Sequence, residues 1–471
     1  MAFPVLITDV FGGADPSREA LVTRSTRLTY AEMEALAARA GGALRAMGVK
    51  PGDRVAASLP NEVEVVAAFH GAMRLGAIWV GINRALAPPE RQFILDDSGT
   101  SIFLDDGGAL RDAIDAADPV ASVDVDPHAP AGIAYTSGTT GYPKGAVHSQ
   151  YNLLMPGRML VESRGWDTTL RKGDCLPLTI LNMMVLTTLA VAQAGGTCIV
   201  MDRLDAEGVA EWIRAEQVTT WNGPPALLHS LATSDAVAAS DLASLNEVWT
   251  GGADCPEAIR RMFEEKFGLP VLATYGLSEA PTVVAIDGRD GNHVDGSSGK
   301  PLPHLKVRIG DDDEICVSAA DDRYRPMLGY WHRDDATAEV LRDGELRTGD
   351  VGFVDADGYL HVRDRKSLVI IRGGANVYPA EVERVLQAFD GVVASAVLGT
   401  EDERLGERVV ALIEGAVDEE ALRQHCLANL AKYKVPERFV FVDGFPRNAM
   451  NKIVRKNLRA LLTPSDDAQH L

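Results

Sequence analysis

Tyr135-Thr-Ser-Gly-Thr-Thr-Gly-Tyr-Pro-Lys144-Gly145 is the stretch on which the reading of this chain turns. The apolar run at 132–135 reads as a strand that empties into a loop dense in Gly, Ser and Thr. Backbone N–H groups and hydroxyls in such a loop can surround phosphate oxygens, and Lys144 supplies a point charge. It is not a Walker A loop, which needs Gly-Lys-Ser/Thr opening a helix, whereas here Pro143 precedes Lys144 and Gly145 follows it. An ordinary flexible surface loop is the alternative, but loop composition alone rarely yields a ten-residue pattern this specific.

Working outward, the N-terminal flank alternates helix and strand patterns. Thr29 with Glu32 makes a capping box before the apolar-periodic stretch 30–47, and Gly48 stops it. A short apolar run at 54–59 follows, then Asn61 with Glu64 opens a second helix ending at Gly76, then a run at 77–82: a β-α-β unit. Further strands are expected at 132–135, 175–178 (CLPL), 197–201, 218–221, 247–250 and 270–275. Helices between most of them imply parallel strands covered on both faces, with ligands beyond the strand carboxyl ends. After about Lys306 the runs become shorter and β-like (KVRI, EICVS, YLHVRDR). From about Ser367, strand patterns mix with two helices, one with Pro379 at its first position and one over 418–430. The expected fold is α/β: a large N-terminal domain (1–365) of layered, mostly parallel sheets with a β-rich part, and a small mobile α+β C-terminal domain (366–471).

Composition narrows the function classes. At 471 residues the chain is about three times a roughly 150-residue domain. Its 46 Lys and Arg against 67 Asp and Glu leave −21, which argues against nucleic acid as a partner. The five cysteines are scattered, with no CxxC pair, so a reduced, cytoplasmic setting is the default. The N-terminus has no basic region before its apolar stretch and does not read as a secretory signal. Between Asp174 and Asp202 lie 27 uncharged residues, but Pro177, Asn182, Gln193, four threonines and a Gly195-Gly196 break make a buried strand, helix and strand the reading, with no transmembrane segment. The polar tail after Thr463 reads as frayed.

The quoted loop resembles the signature loop of the adenylate-forming superfamily, which includes acyl-CoA synthetases, adenylation domains and luciferases. Further blocks stand in the expected order: TGGADCP (250–256), TYGLSE (274–279), LRTGDVGFVDADGYLHVRDR (346–365), RGGANVYPAEVE (372–383) and PRNAMNKIVR (446–455). The resemblance covers nearly the whole chain, and the likeness is greatest to fatty-acyl-CoA ligases of the medium-to-long-chain and aromatic-acid kind. It implies ATP, Mg2+ and coenzyme A as cofactors and a small-molecule carboxylic acid as partner, and is compatible with a homo-oligomer.

Roles carried over by position are implied by this resemblance. Thr136, Ser137, Gly138, Thr139, Thr140, Gly141 and Lys144 would cradle phosphates. Glu279 would hold Mg2+ against them, with Ser278 bonding a phosphate. Tyr275 would stack on adenine beside Gly276, and Gly251, Gly252, Ala253 and Asp254 would wall that pocket. Asp350 would accept the ribose hydroxyls, assisted by Arg365. Lys452 would reach the substrate carboxylate and α-phosphate during adenylation, and Gly373 and Gly374 would line the pantetheine entrance. Taken singly, Glu279, Asp350 and Arg365 would more often be surface charges and Tyr275 a core residue, so the block context carries these assignments.

The implied reaction has two halves. A carboxylate attacks the α-phosphate of ATP to give acyl-AMP and pyrophosphate; a thiol then displaces AMP, with the small domain reoriented in between. An acyl pocket is expected around 182–185, 221–225, 250–252 and 276–282, including Asn182, Trp221, Gly223 and Pro281. Its apolar and small residues favour a hydrophobic acid, while Trp221 could either shorten the pocket or be core. Three positions depart from the family pattern: Ser367 at the hinge, Asn451 before Lys452, and Asn182 in place of His or an aromatic. From 432 to 459, eight basic residues face only Glu437 and Asp443, an excess suited to ATP or CoA phosphates or else a solvated basic face. The other readings are an enzyme that loads a carrier-protein phosphopantetheine and a nucleotide-binding protein without turnover.

Overall fold

The computed structural model describes residues 3–136, 143–252, 255–289, 291–373, 375–402, 404–447 and 453–462. Ser137, Gly138, Thr139, Thr140, Gly141, Ala253, Asp254, Gly374, Asn451 and Lys452, with the tail from 463, lie outside them.

The capping box forms as read. The Thr29 side chain accepts from the Glu32 N–H while Glu32 returns to the Thr29 N–H, opening the helix Tyr30–Ala46. Asn61 does something else. The next helix is Val63–Arg74 with Glu62 at its N-cap. Asn61 instead donates to the Leu176 carbonyl at 2.9 Å and accepts from the Leu178 N–H at 2.9 Å. Those bonds explain why the apolar CLPL stretch is not a strand: its backbone is spent on Asn61 and on Asp174, which takes the Leu176 N–H. The strand is the preceding polar segment Arg171–Asp174, buried because Lys172 and Asp174 face each other at 3.5 Å and Lys172 reaches Asn222 at 2.6 Å.

Nine strands form one sheet, in the order Lys300–Pro301, Thr282–Ile286, Val271–Leu277, Glu247–Gly251, Thr220–Asn222, Arg171–Asp174, Thr197–Val200, Glu19–Val22, Arg27–Thr29. The run from Val271–Leu277 to Glu19–Val22 is parallel, with antiparallel strands at both edges. The first hairpin joins this sheet through Leu21 paired with Cys198. A second sheet runs Gly329–Tyr330, Lys144–Ser149, Pro130–Thr136, Ile78–Gly81, Arg54–Ala57, Ile102–Leu104. Helices including Tyr30–Ala46, Val63–Arg74 and Gln150–Arg164 contribute to one large apolar cluster that also takes residues from both sheets. The 27-residue uncharged run supplies the helical segments Leu181–Met184, Val185–Leu189 (a π-helical turn) and Ala190–Ala194, then the strand Thr197–Val200. Among the described residues no helix is long and apolar enough to cross a membrane.

The β-rich part is an antiparallel sheet of Leu305–Ile309, Glu314–Ala319, Glu345–Val354 and Leu360–Arg365, with Leu341–Arg342 at its edge. Beyond it, Ile370–Arg372, Ala375–Val377, Val392–Asp402, Gly406–Gly415 and Arg438–Val442 build a separate sheet. Helices Pro379–Gln387, opened by Pro379, and Glu419–Asn429, capped by Asp418, complete this part around its own core of Val382, Leu386, Val409, Ile413, Leu422 and Phe439.

Candidate active site

Thr136 and Lys144 are cross-strand partners in the hairpin of Pro130–Thr136 and Lys144–Ser149. The Thr136 hydroxyl donates to the Lys144 carbonyl at 3.4 Å. The Lys144 ammonium lies 5.2 Å from the centre of the Tyr330 ring.

Strand Val271–Leu277 delivers Tyr275 and, in the turn after it, Ser278 and Glu279. Asn182 donates to the Ser278 hydroxyl at 3.4 Å. Glu279 Oε1 accepts from the Tyr330 hydroxyl at 2.8 Å. Among the described residues no cation is ion-paired to this carboxylate. A partly buried anion with one oxygen fixed by a neutral donor suits a hard divalent cation on its other oxygen, so the residues present fit Mg2+. Burial, with the Glu279 charge, pushes the Tyr330 phenol well up.

Asp350 and Arg365 are opposite one another across Glu345–Val354 and Leu360–Arg365. The pairing places the Arg365 guanidinium 2.7 Å from Asp350 Oδ1, while the Tyr275 hydroxyl donates to Oδ2 at 2.6 Å. Burial raises the Asp350 carboxyl, and Arg365 and Tyr275 work against that shift. Desolvation is also the first cause of the raised Tyr275 phenol. Gly251 ends the neighbouring parallel strand, and a side chain there would strike the Thr274 hydroxyl at 2.3 Å, so this position must be bare backbone. Gly252 follows it, and Gly276 lies exposed beside Tyr275.

Other expected residues are placed differently. Trp221 is fully buried among Cys175, Leu228 and Val248, and its ring fills the space a side chain on Gly223 would need. Of the two roles left open for Trp221, the structure shows core packing, and Gly223 is small to admit that ring. Pro281 is buried and bridges to Leu277, two residues past Glu279. Gly373 is exposed at the tip of the hairpin between Ile370–Arg372 and Ala375–Val377, with φ +58° and its N–H on the Leu405 carbonyl. Ser367 lies in the short turn Lys366–Leu368.

Four residues of the basic run bind partners inside their own part of the fold. Lys434 pairs with Glu381 at 2.6 Å, Arg447 with Glu414 at 3.5 Å and Arg455 with Glu383 at 2.7 Å, while Arg459 donates to the Gly399 carbonyl. These four of the eight basic residues are therefore engaged within the fold and are not a free phosphate surface. Sequence reasoning also missed Tyr330, whose only local signal is a Gly-Tyr-Trp triplet of no decisive meaning.

The family described as "AMP-binding enzyme" matches residues 11–331, and its "AMP-binding enzyme C-terminal domain" matches 381–452. The long-chain-fatty-acid–CoA ligase FadD13 of Mycobacterium tuberculosis is 34% identical, over 94% of this chain and 95% of that protein. Feruloyl-CoA synthase of an Amycolatopsis species is 35% identical, over 94% and 96%. Among solved structures, the o-succinylbenzoate CoA synthetase of Bacillus subtilis, in complex with its acyl-adenylate intermediate, superposes with a TM-score of 0.87 at 29% identity, over 98% of this chain and 99% of that one.

Proposed function

Because this chain belongs to the AMP-binding enzyme family and is an AMP-forming acid–CoA ligase that uses ATP, Mg2+ and coenzyme A, we propose how its residues divide that work and which acid it takes. The observation that carries the reading is Asp350, held between Tyr275 and Arg365 at 2.6 and 2.7 Å. Two separate sequence blocks meet there, 274–279 and 346–365, and Tyr275 stands four residues before Glu279 on the same strand and turn.

Asp350 would accept the ribose hydroxyls once nucleotide enters, with Arg365 keeping the carboxylate aimed. Tyr275 would present its ring to adenine against the bare backbone of Gly251 and Gly252, with Ala253 and Asp254 completing that wall. Glu279 would hold Mg2+; bound there, the cation neutralises negative charge on the phosphate oxygens. Lys144 and the loop 136–141 would position the phosphates, and Lys452 would steady charge developing as the acid attacks. In the first step a carboxylate oxygen bonds to the α-phosphorus and the bond to pyrophosphate breaks. In the second, the CoA sulfur bonds to the acyl carbon and the bond to AMP breaks, with Gly373 and Gly374 at the thiol entrance.

The acid proposed is hydrophobic, fatty or aromatic. Supporting this, most residues of the segments around Asn182, Thr250 and Pro281 are small or apolar, and the relatives are named for a long-chain fatty acid and for ferulate. We place the domain boundary at 365/366, where Ser367 would serve the swing between the two steps. The five free cysteines support a cytoplasmic setting.

The test is pyrophosphate release with Mg-ATP across linear, branched, aromatic and steroid-like acids, with and without CoA. CoA-dependent AMP and thioester from a hydrophobic group is expected. Release of pyrophosphate without CoA turnover would transfer the reading to a carrier-protein acceptor, and silence across the panel would remove it.

A further inference from the structure

Two pieces of the site come from segments more than 130 residues apart: Lys144 on its hairpin strand and Glu279 in its turn. A five-residue segment, 327–331, stitches them together. Gly329 and Tyr330 pair antiparallel with Val147 and Ala146. The Leu328 N–H donates to the Val147 carbonyl and the Trp331 N–H to the Gly145 carbonyl, both at 2.8 Å. From the same segment the Met327 N–H donates to the Glu279 carbonyl at 3.0 Å. The side chain repeats the link: the Tyr330 hydroxyl bonds Glu279 Oε1 at 2.8 Å while the ring lies 5.2 Å from the Lys144 ammonium. Thr337 accepts the Tyr330 N–H at 2.8 Å and fixes the end of the brace. Met327 is 2% exposed and Tyr330 9%, so the segment is packed in place.

We propose that Tyr330 is a positioning residue that sets the Glu279 carboxylate and the Lys144 ammonium as one unit. This rests on the reading that Glu279 holds Mg2+. A carboxylate that binds a cation with one oxygen can rotate about its last bond. A neutral hydroxyl on the other oxygen stops that rotation without cancelling the charge, which a lysine or arginine in the same place would do. Groups bonded in this way to metal ligands typically alter metal affinity or activity by about 10- to 100-fold.

The experiment is Mg2+ dependence of pyrophosphate release in the full chain, for Tyr330→Phe, Glu279→Gln and the double variant. Tyr330→Phe keeps the ring over Lys144 and the packing but loses the hydroxyl. The Mg2+ concentration for half-maximal rate is expected to rise by about 10-fold or more, with kcat at saturating Mg2+ changed far less. The double variant should match Glu279→Gln alone, because the hydroxyl acts only through that carboxylate. Tyr330→Leu, which also removes the ring, should lower kcat at saturating Mg2+ as well. Unchanged Mg2+ dependence in Tyr330→Phe while Glu279→Gln shifts it would overturn the proposal and leave the metal reading intact. An unshifted Glu279→Gln would instead overturn the reading beneath it. Additive losses in the double variant would show that Tyr330 acts through general stability, which a thermal melt of each variant would register separately.

Discussion

Two basic regions of this protein behave in opposite ways. Lys144 projects from the hairpin of Pro130–Thr136 and Lys144–Ser149 against an aromatic ring, with no acid paired to it among the described residues. Arg455, Lys434 and Arg447 each end on a carboxylate of their own small sheet-and-helix unit. Charge read along a sequence cannot separate these cases. A cation facing a ring keeps its field available to an incoming anion, whereas one on a carboxylate holds two chain segments together.

The sharpest way to break this contrast is at Glu279, the acid linked to Lys144 through Tyr330. Glu279→Gln is expected to lower kcat/KM for pyrophosphate release by about 10²- to 10³-fold, on the scale of losing one group that stabilises transition-state charge. Its melting temperature should stay close to the parent's, and a large drop would place Glu279 in the structural class instead.

Arg455→Ala should do the converse. Glu383 is mostly buried, its carboxyl is raised by desolvation, and Arg455 grips both of its oxygens at 2.7 Å. Removing the guanidinium strands that acid, at a cost of about 2–4 kcal/mol, below the full figure for a wholly buried pair because Arg455 keeps some exposure. Hydrogen exchange over the Val392–Asp402 strand would read the loss, and acyl-AMP formation per folded molecule should change little.

An intermediate effect comes from groups that burial keeps neutral. His70 is held down at about 3, and His148 and His304 at about 4, chiefly by desolvation. Unfolded, each would take a proton near pH 6.5. Folded values lie below unfolded ones, so the unfolded chain binds more protons as pH falls from about 6.5 toward 4, and stability falls with it. His70→Leu should recover about 1–2 kcal/mol of the difference between pH 7 and pH 5, read from denaturant midpoints. An unchanged acid limb would show that His70 titrates normally.

The smallest effect is expected at Lys434. Its pair with Glu381 is 2.6 Å long but partly solvated, so Lys434→Ala should cost under about 1 kcal/mol in a thermal melt. A larger loss would mean that the basic run is even more structural than the geometry indicates.

Legibility in the sequence followed locality. The Thr29–Glu32 box and the Pro379 and Asp418 helix starts depend on neighbours within a turn, and each forms as read. The motif blocks carried the family and its reaction because their residue types are specific. Periodicity failed at Arg171–Asp174, where a buried Lys172–Asp174 pair hides a core strand inside a polar string. Asn61 does not open the second helix because its amide serves a backbone more than a hundred residues away. Tyr330 escaped for the same reason, since its meaning exists only once Gly329–Tyr330 lies beside Lys144–Ser149.

The first hairpin, residues 19–29, has a consequence in time. Its sheet neighbour, the strand containing Cys198, is translated some 170 residues later. At roughly 5–20 residues per second, that wait is on the order of ten seconds or more. Throughout it, Glu19–Val22 offers an open edge to any passing strand. A nascent chain stalled before residue 197 should therefore be a preferred client of ribosome-associated chaperones, and one stalled beyond the completed sheet should not.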